Sequence, residues 1–343
     1  MSQTNRTGAH ARTALDGERA DPAATAGLGR DHEAAADVVL RTQALTKHYG
    51  STVALQDLTI EARRGEVLGF LGPNGAGKTT TIRLLLGLIG PTSGQAEIFG
   101  LDVRAQRRAV HARTAYVPGE AALWPSLTGA ETLHLLARMH GRTDVAYRDE
   151  LVQAFDFDPS RKVRGYSKGN KQKINLIAAL ATRADLLILD EPTSGLDPLM
   201  EQAFRECVLQ AKGNGQTVFL SSHILAEAEA LCDRVAILSA GQLVEVGTLA
   251  QMRHLSALSV EATFPGPPPT LDQLRGVSNV RVSGHQLSCQ VRGPIDELLA
   301  VLAAAHPTTL LSREPSLEEL FLSLYGQRER RNHSPEQGPD DVS

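Results

Sequence analysis

Residues 69–80, GFLGPNGAGKTT, decide the fold of this 343-residue chain. The segment begins inside an apolar stretch, EVLGFLG at 66–72, and runs into TTTIRLLLGLIG at 79–90. These patterns predict a buried strand, a glycine-rich loop and a helix in succession. The loop carries the spacing G-x-x-x-x-G-K-T from Gly72 to Thr79, which in this setting predicts a cradle of backbone N–H groups for phosphate oxygens.

Each residue type in this loop has a predicted role toward a nucleoside triphosphate. Gly75 and Gly77 allow the backbone to close around the phosphates. Lys78 is expected to reach the β and γ phosphates, and the Thr79 hydroxyl is expected to ligate Mg²⁺. The predicted nucleotide-binding residues of the loop are Gly72, Pro73, Asn74, Gly75, Ala76, Gly77, Lys78, Thr79 and Thr80.

A second apolar stretch ends in two carboxylates. LLILDEPTSGLDP at 186–198 predicts a buried strand with Asp190 and Glu191 at its carboxyl end, where open α/β sheets bind ligands. Asp190 is expected to hold Mg²⁺ through water, and Glu191 to take a proton from the attacking water, a role worth about 10² to 10⁴ in rate. Asp-Glu alone is equally compatible with an ordinary acidic strand end, and the upstream loop favours the catalytic interpretation.

Two further side chains extend this predicted site. Tyr49, in LTKHYG ahead of the first predicted strands, is expected to stack on adenine, a contact worth roughly 1 to 3 kcal/mol. His223 follows the predicted strand TVFLSS and is expected to contact the γ-phosphate or the attacking water. Taken alone, a tyrosine at a turn and a histidine at a helix start more often have structural roles.

The stretch GYSKGNKQK at 165–173 predicts a second anion-binding helix start. A small polar residue and Gly169 precede a basic helix, so free backbone N–H groups and a close-approach glycine coincide. A simple helix entry is the alternative for this glycine.

The rest of the chain predicts an α/β fold followed by a small α+β domain. The expected divisions are a disordered tail at 1–37, a nucleotide-binding domain at 38–254 with a helical subdomain at about 120–182, an accessory domain at 255–326 and a disordered tail at 327–343. Strands are predicted at 53–62, 66–72, 114–118, 185–190, 217–222, 234–239, 242–247, 257–264, 278–283, 286–292 and 308–313. Helices are predicted at 79–90, 128–140, 144–154, 168–182, 198–212, 224–232, 294–305 and 316–325.

Composition narrows the class of partner. A net charge of −4 and a pI near 6.3 provide no general basic surface, so nucleic acid is not an expected partner. The cysteines, Cys207, Cys232 and Cys289, form no CxxC pair, which favours reduced thiols over a disulfide framework or a zinc site. No apolar run approaches the roughly 20 residues that cross a bilayer, and the first residues lack the apolar core of a signal peptide.

In this order, the motifs resemble those of the ATP-binding subunit of an ATP-binding cassette (ABC) transporter across residues 40–250. The resemblance implies a P-loop ABC ATPase domain with a mixed sheet core and a helical subdomain, and ATP and Mg²⁺ as ligands. The matches are Tyr49 with the A-loop, GPNGAGKTT with Walker A, LLILDE with Walker B, SGLD with the D-loop including Asp197, His223 with the switch histidine, and YSKGN with the LSGGQ signature.

The resemblance also implies a purpose for the second helix start. In this family two nucleotide domains pack head to tail, so Ser167 and Gly169 would contact the triphosphate bound at Lys78 of a second copy. The expected unit is therefore a homodimer, or a heterodimer with a close homologue.

Two departures from the family pattern affect the predicted roles. Lys168 and Asn170 replace the usual glycine and glutamine of the signature, and a lysine beside a triphosphate is electrostatically favourable. In YVPGEAALW, Gly119 stands where the family has a metal-contacting glutamine. Our hypothesis is that Glu120 supplies a metal-side oxygen instead, with an ordinary surface glutamate as an equal alternative.

The C-terminal stretch EPSLEELFLSLYG is similar to the tail of ATPase subunits from bacterial drug exporters of the daunorubicin-resistance type. This similarity implies export of a drug, antibiotic or other amphipathic compound through a separate ABC-2-type permease, with the chain at the cytoplasmic face of the membrane. The alternatives are a non-transport ABC ATPase acting on ribosomes or DNA, which usually carries tandem cassettes, and an importer ATPase.

Overall fold

The structure, a computed structural model, describes residues 37–120, 122–254, 258–271 and 274–313. The predicted helix at 316–325, the tail at 327–343 and all of the tail at 1–37 except Asp37 lie outside the described residues. The strands are β1 Val38–Tyr49, β2 Thr52–Leu58, β3 Glu61–Arg63, β4 Val67–Leu71, β5 Ser93–Ile98, β6 Leu101–Asp102, β7 Thr114–Val117, β8 Leu186–Asp190, β9 Thr217–Ser222, β10 Arg234–Ser239, β11 Gln242–Thr248, β12 Leu258–Thr263, β13 Val277–Ser283, β14 Gln286–Val291 and β15 Thr309–Arg313.

The central sheet has the strand order β11-β10-β4-β9-β8-β7. Strands β10, β4, β9, β8 and β7 run parallel, and β11 is antiparallel to β10. Every residue of β4, β8 and β9 is buried, as expected for parallel strands covered on both faces. The predicted strands at 234–239 and 242–247 are confirmed as β10 and β11, which form a hairpin, and Ala240 (φ 46°) and Gly241 (φ 76°) adopt the left-handed backbone of its two-residue turn.

Side chains of the central strands alternate between two hydrophobic cores. In β4, Val67 and Leu71 enter one core, while Leu68 and Phe70 enter the other. This alternation gives the sheet a covered layer on each face.

A second sheet, with the order β2-β1-β5-β6 and with β3 paired to β1, is antiparallel. The prediction that Tyr49 precedes the first strands was wrong, because Tyr49 is the last residue of β1. The pairing of β1 with β2 is irregular between Leu45 and Lys47, and polar residues such as Arg41 and Gln43 interrupt its apolar pattern. A regular two-residue period is therefore absent from β1, which explains why sequence reasoning missed it.

Helices cover the central sheet and build the segment between β7 and β8. Most match the predicted positions within a few residues, and the short helices Arg107–His111 and Leu249–His254 were not predicted. The helices are Lys78–Leu85, Arg107–His111, Gly129–His140, Val145–Ala154, Lys168–Leu180, Pro198–Gly213, Leu225–Leu231, Leu249–His254 and Asp296–Ala304, with a 3₁₀ turn at Val163–Gly165.

The third sheet, β13-β14-β12-β15, has its own core. Val260, Leu287 and Cys289 pack there with Leu298 and Leu302 of the helix Asp296–Ala304. The predicted strands and helix at 257–313 are confirmed, and the domain boundaries stay a prediction. Among the residues that the structure describes, no helix is both long enough and apolar enough to span a bilayer.

Candidate functional site

The central sheet brings the predicted motifs to one edge. Strand β9 lies between β4 and β8, with Leu71 opposite Ser222 and Asp190 opposite Ser221. The loops that follow these strands carry the glycine-rich loop, His223 and Glu191. Because parallel strands end at the same edge, residues far apart in sequence meet at one place.

The glycine-rich loop has the backbone geometry that a phosphate cradle needs. Gly75 and Gly77 have φ values of 81° and 107°, and Gly77 precedes the helix Lys78–Leu85 without any side-chain cap. The first N–H groups of a helix have no intrahelical acceptor and attract anions. A Cβ at Gly77 would lie 2.6 Å from the Ala54 carbonyl oxygen, and one at Gly72 would lie 2.4 Å from that of Leu238. Both positions therefore require glycine for packing, and Gly77 also requires it for its backbone conformation.

Lys78 connects the loop to the predicted catalytic residues. Its side chain is only 4% exposed, and its Nζ donates to the Gly72 carbonyl oxygen at 2.7 Å. The same Nζ lies 3.3 Å from Glu191 Oε1, and His223 Nδ1 is also 3.3 Å from that oxygen. The structure thus brings together the predicted phosphate-binding lysine, base and switch histidine around one carboxylate oxygen.

Glu191 occupies an unusual backbone conformation. Its φ is 46°, which is in the left-handed region that non-glycine residues rarely adopt. The Glu191 N–H donates to the Ser221 carbonyl oxygen at 3.1 Å, which pins this turn to β9. Backbone strain of this kind costs on the order of 1 to 3 kcal/mol and concentrates at functional sites.

The donor set at the predicted metal position fits Mg²⁺. Thr79 Oγ1 donates to Asp190 Oδ2 at 3.2 Å, and Ser221 Oγ donates to Asp190 Oδ1 at 2.6 Å. These are hard oxygen donors, and the described residues contain no cluster of three or more His, Cys, Asp or Glu side chains suited to a metal. Mg²⁺ at nucleotide sites is typically held by one or two protein oxygens together with substrate phosphates, so a single carboxylate and a hydroxyl are appropriate.

The predicted signature begins a long helix. Ser167 caps the helix Lys168–Leu180, its Oγ accepting from the Asn170 N–H at 3.2 Å. The Lys168 ammonium donates to Ser194 Oγ at 2.8 Å, and a Cβ at Gly169 would lie 2.3 Å from the Gly195 carbonyl oxygen. Because Ser167 and Lys168 are exposed, this helix start is accessible to another molecule.

The segment after β7 lies against the carboxylate turn. A Cβ at Gly119 would lie 3.1 Å from the Asp190 carbonyl oxygen. Gln172 is buried and donates to the carbonyl oxygens of Pro118 and Pro192 at 3.3 Å and 3.2 Å. Glu120 is exposed and makes no hydrogen bond or ion pair with the described residues, so its role as a metal ligand stays a prediction.

Tyr49 and Asp197 belong to elements outside the glycine-rich loop and the turn of Glu191. Tyr49 is 48% exposed, with Lys47 Nζ 5.1 Å from its ring centroid, so one ring face is open to stacking. Asp197 caps the helix Pro198–Gly213, accepting from the N–H groups of Leu199 and Met200 at 3.1 Å. Its contact with nucleotide stays a prediction.

Sequence reasoning missed Ser221 and Gln172, which orient the site. Ser221 is the last residue but one of the predicted strand at 217–222, and only the pairing of β8 with β9 reveals its contact with Asp190. Gln172 had little signal, since it lies in the polar first half of the helix Lys168–Leu180, between Lys171 and Lys173.

Comparison with known proteins agrees with this arrangement. A model of the ABC transporter family matches residues 55–194. The daunorubicin resistance ATP-binding protein of Streptomyces coeruleorubidus is 36% identical to the chain over 311 residues, which cover 86% of the chain and 98% of that relative. The chain belongs to the ABC transporter family. The predictions of a P-loop ABC fold and of an ATPase are confirmed.

Other members of the ABC transporter family show the same likeness. The linearmycin resistance ATP-binding protein of Bacillus subtilis strain 168 is 32% identical, covering 84% of this chain and 99% of that protein. A solved structure of an ATP-binding subunit of an ABC transporter superposes with a TM-score of 0.60 at 35% identity, covering 63% of this chain and 92% of that one. This ABC ATPase is therefore related, over 84% and 86% of its length, to ATP-binding proteins named for linearmycin and daunorubicin resistance.

Proposed function

We propose that this ABC ATPase powers export of a drug, antibiotic or other amphipathic compound through a separate membrane permease of the ABC-2 type. The observation that carries the proposal is the convergence of Lys78 and His223 on one oxygen of Glu191, each at 3.3 Å, in a chain whose relatives are named for daunorubicin and linearmycin resistance. The work of the chain is performed at the cytoplasmic face of the membrane, where ATP is available.

The residues support a hydrolytic mechanism. Lys78 binds the β and γ phosphates, while Glu191 accepts a proton from the water that attacks the γ-phosphorus. His223 Nδ1 lies within hydrogen-bond distance of Glu191 Oε1. In this position His223 orients the carboxylate and senses the γ-phosphate. Thr79 and Asp190 would hold Mg²⁺, which neutralises phosphate charge when it is bound.

Nucleotide binding is proposed to require two molecules. The exposed helix start at Ser167 and Lys168 offers free N–H groups and a positive charge, and no described hydrogen bond connects it to the glycine-rich loop of the same chain. A helix start of this kind stabilises an anion, so it fits the triphosphate bound at Lys78 of a second copy. ATP then holds the dimer together, and hydrolysis releases it.

The permease is proposed to dock in a groove beside the helix Gly129–His140. This cavity measures about 670 Å³, and its apolar wall includes Leu88 and Met139, which are 57% and 67% exposed. Exposed apolar side chains gathered in a groove favour a protein partner. Apart from Tyr116, the titratable side chains that line the groove are all arginine or histidine, namely Arg107, Arg108, His111 and His140. We therefore expect a short permease helix that carries an acidic residue.

Dimerisation tests the ATPase part of the proposal. Glu191→Gln should bind ATP, form a stable dimer by light scattering and hydrolyse ATP slowly, because the amide cannot take the proton. Lys78→Ala is the matched control and should remain monomeric with ATP. Full turnover by Glu191→Gln, or full turnover by wild-type protein diluted until it is monomeric, would contradict the mechanism.

Transport needs a separate experiment. The tagged chain and its Leu88→Asp variant are purified from detergent-solubilised membranes of the native host. We expect an integral membrane protein to copurify with the wild type and not with the Leu88→Asp variant. We also expect ATP-dependent uptake of daunorubicin into inverted vesicles that contain the wild-type chain and this membrane protein. Enrichment of ribosomal RNA or DNA in place of a membrane protein would favour a non-transport function.

A further inference from the structure

A buried carboxylate that the mechanism leaves unused lies next to the switch histidine. Glu227 is in the first turn of the helix Leu225–Leu231, four residues after His223. Its Oε1 is inaccessible to water and makes no hydrogen bond of regular length and angle with the described residues, although the Thr193 hydroxyl is near enough to lower the pKa of the carboxyl group. Leaving a buried polar atom without a partner costs about 1 to 3 kcal/mol in other proteins, so a solely structural role offers a poor explanation for this side chain.

The other carboxylate oxygen is bound to the turn that presents His223. The Ser222 hydroxyl donates to Glu227 Oε2 at 2.6 Å. The same Ser222 oxygen accepts from the Ile224 N–H at 2.9 Å. Ser222 and Ile224 flank His223 on both sides, so the two hydrogen bonds close the turn around the histidine and fasten it to Glu227.

The single hydroxyl proton of Ser222 makes this arrangement dependent on Glu227. The Ile224 carbonyl oxygen lies 3.4 Å from the same Ser222 oxygen and is the acceptor that remains if Glu227 is removed. Redirecting the proton toward that carbonyl would change the turn that holds His223 Nδ1 at 3.3 Å from Glu191. Misplacing a catalytic group by about 1 Å can cost on the order of a hundredfold in rate.

Groups on neighbouring elements also shift the pKa of Glu227. Burial raises its pKa, the Ser222 and Thr193 hydroxyls lower it, and the charges of Glu201 and His223 act in opposite directions. Thr193 belongs to the segment after Glu191, and Glu201 belongs to the helix Pro198–Gly213. The carboxyl group therefore lies between the switch-histidine turn and the segment that carries the D-loop.

We propose that Glu227 is a positioning residue, which holds the Ser222–Ile224 turn so that His223 faces Glu191. The inference rests on the proposed role of His223 in ATP hydrolysis. Among the described residues, Glu227 forms no hydrogen bond with a predicted phosphate or metal ligand, and its Oε2 contacts the turn that carries His223. Removal of Glu227 should therefore lower kcat without changing KM for ATP.

The test uses full-length protein with ATP and Mg²⁺. Glu227→Leu should lower kcat by roughly 10- to 100-fold with KM unchanged. Glu227→Gln, which retains an acceptor for Ser222, should keep most of the activity. Ser222→Ala removes the same contact by another route and should reproduce the loss, so the test survives if Glu227→Leu does not fold.

The background of His223→Ala separates positioning from stability. If Glu227 acts through His223, then adding Glu227→Leu to His223→Ala should cause no further loss of kcat, although thermal unfolding still reports any change in stability. The inference would be overturned if Glu227→Leu lowered kcat in the His223→Ala background by the same factor as in the wild type. It would also be overturned if Glu227→Leu and Ser222→Ala both kept full activity. Full activity of His223→Ala would instead contradict the proposed function of the histidine.

Discussion

Replacing Gly169 by alanine tests the packing of the signature against the D-loop. A Cβ at this position would lie 2.3 Å from the Gly195 carbonyl oxygen and 3.3 Å from its carbon. A carbon and a carbonyl oxygen approach to roughly 3.3 Å in normal contacts, so the two segments would have to separate by about 1 Å. Both groups are backbone, and no flexible side chain can absorb the displacement.

The displacement predicts two effects of different size. Overpacking of this kind destabilises a protein by roughly 1 to 3 kcal/mol, which should lower the midpoint of thermal unfolding of the isolated chain. A shift of about 1 Å in a group that positions substrate costs on the order of a hundredfold in rate. Because Gly169 is proposed to contact the nucleotide of a second copy, we expect the larger effect on ATP-dependent dimerisation and on kcat.

The assay compares Gly169→Ala with Gly213→Ala. No heavy atom lies within 4 Å of a Cβ at Gly213, the last residue of the helix Pro198–Gly213, so this control should be neutral or stabilising by up to about 1 kcal/mol. Dimerisation is measured by light scattering with ATP in the Glu191→Gln background, and kcat is measured in proteins that retain Glu191. Wild-type dimerisation and turnover by Gly169→Ala would refute the claim that contact with Gly195 sets the signature geometry.

Three further changes test other parts of the site. Lys78→Ala should weaken ATP binding in an equilibrium titration, because it removes a positive charge from the most anionic part of the ligand; unchanged affinity would contradict the role of the loop. Glu120→Ala should reduce Mg²⁺-dependent hydrolysis if this residue supplies a metal-side oxygen, and an unchanged Mg²⁺ titration would refute that hypothesis. Burial raises the pKa of Glu227 in the folded chain, so the wild type has its full stability below the unfolded pKa of about 4.3 and loses some as the pH rises through the folded pKa. Glu227→Gln should therefore unfold at a higher temperature than the wild type at neutral pH, with a difference that shrinks in acid, and a constant difference would argue against this cause.

Sequence reasoning recovered the central sheet because its strands are buried on both faces. Val67–Leu71, Leu186–Asp190 and Thr217–Ser222 are short apolar runs bounded by polar residues, a pattern that parallel strands impose. The antiparallel strand Ser93–Ile98 was missed because it begins with three exposed polar residues or glycine, so no apolar pattern marks its start.

The candidate site shows the same division between local and long-range information. The glycine-rich loop and the Asp190-Glu191 pair are local patterns, and both were predicted. The contact of Thr79 with Asp190 joins residues 111 positions apart, and that of Ser221 with Asp190 depends on which strands are neighbours. Strand order is set by packing of the whole chain, so a single sequence read locally does not contain the partners Ser221, Gln172 and Glu227.

The glycine at position 119 suggests how the groove communicates with the carboxylates in this chain. Strand β7 pairs with β8 along its whole length, and Tyr116 lines the groove while burial and the charge of Asp190 raise its pKa to about 12. Two residues later, the Pro118 carbonyl accepts from Gln172, which also binds the carbonyl after Glu191. A Cβ at Gly119 would lie 3.1 Å from the Asp190 carbonyl oxygen, a tight contact that a shift of a few tenths of an ångström would relieve. If a partner docks in the groove, the paired backbones of β7 and β8 and the hydrogen bonds of Gln172 connect the groove to Asp190 and Glu191 without a side chain at position 119.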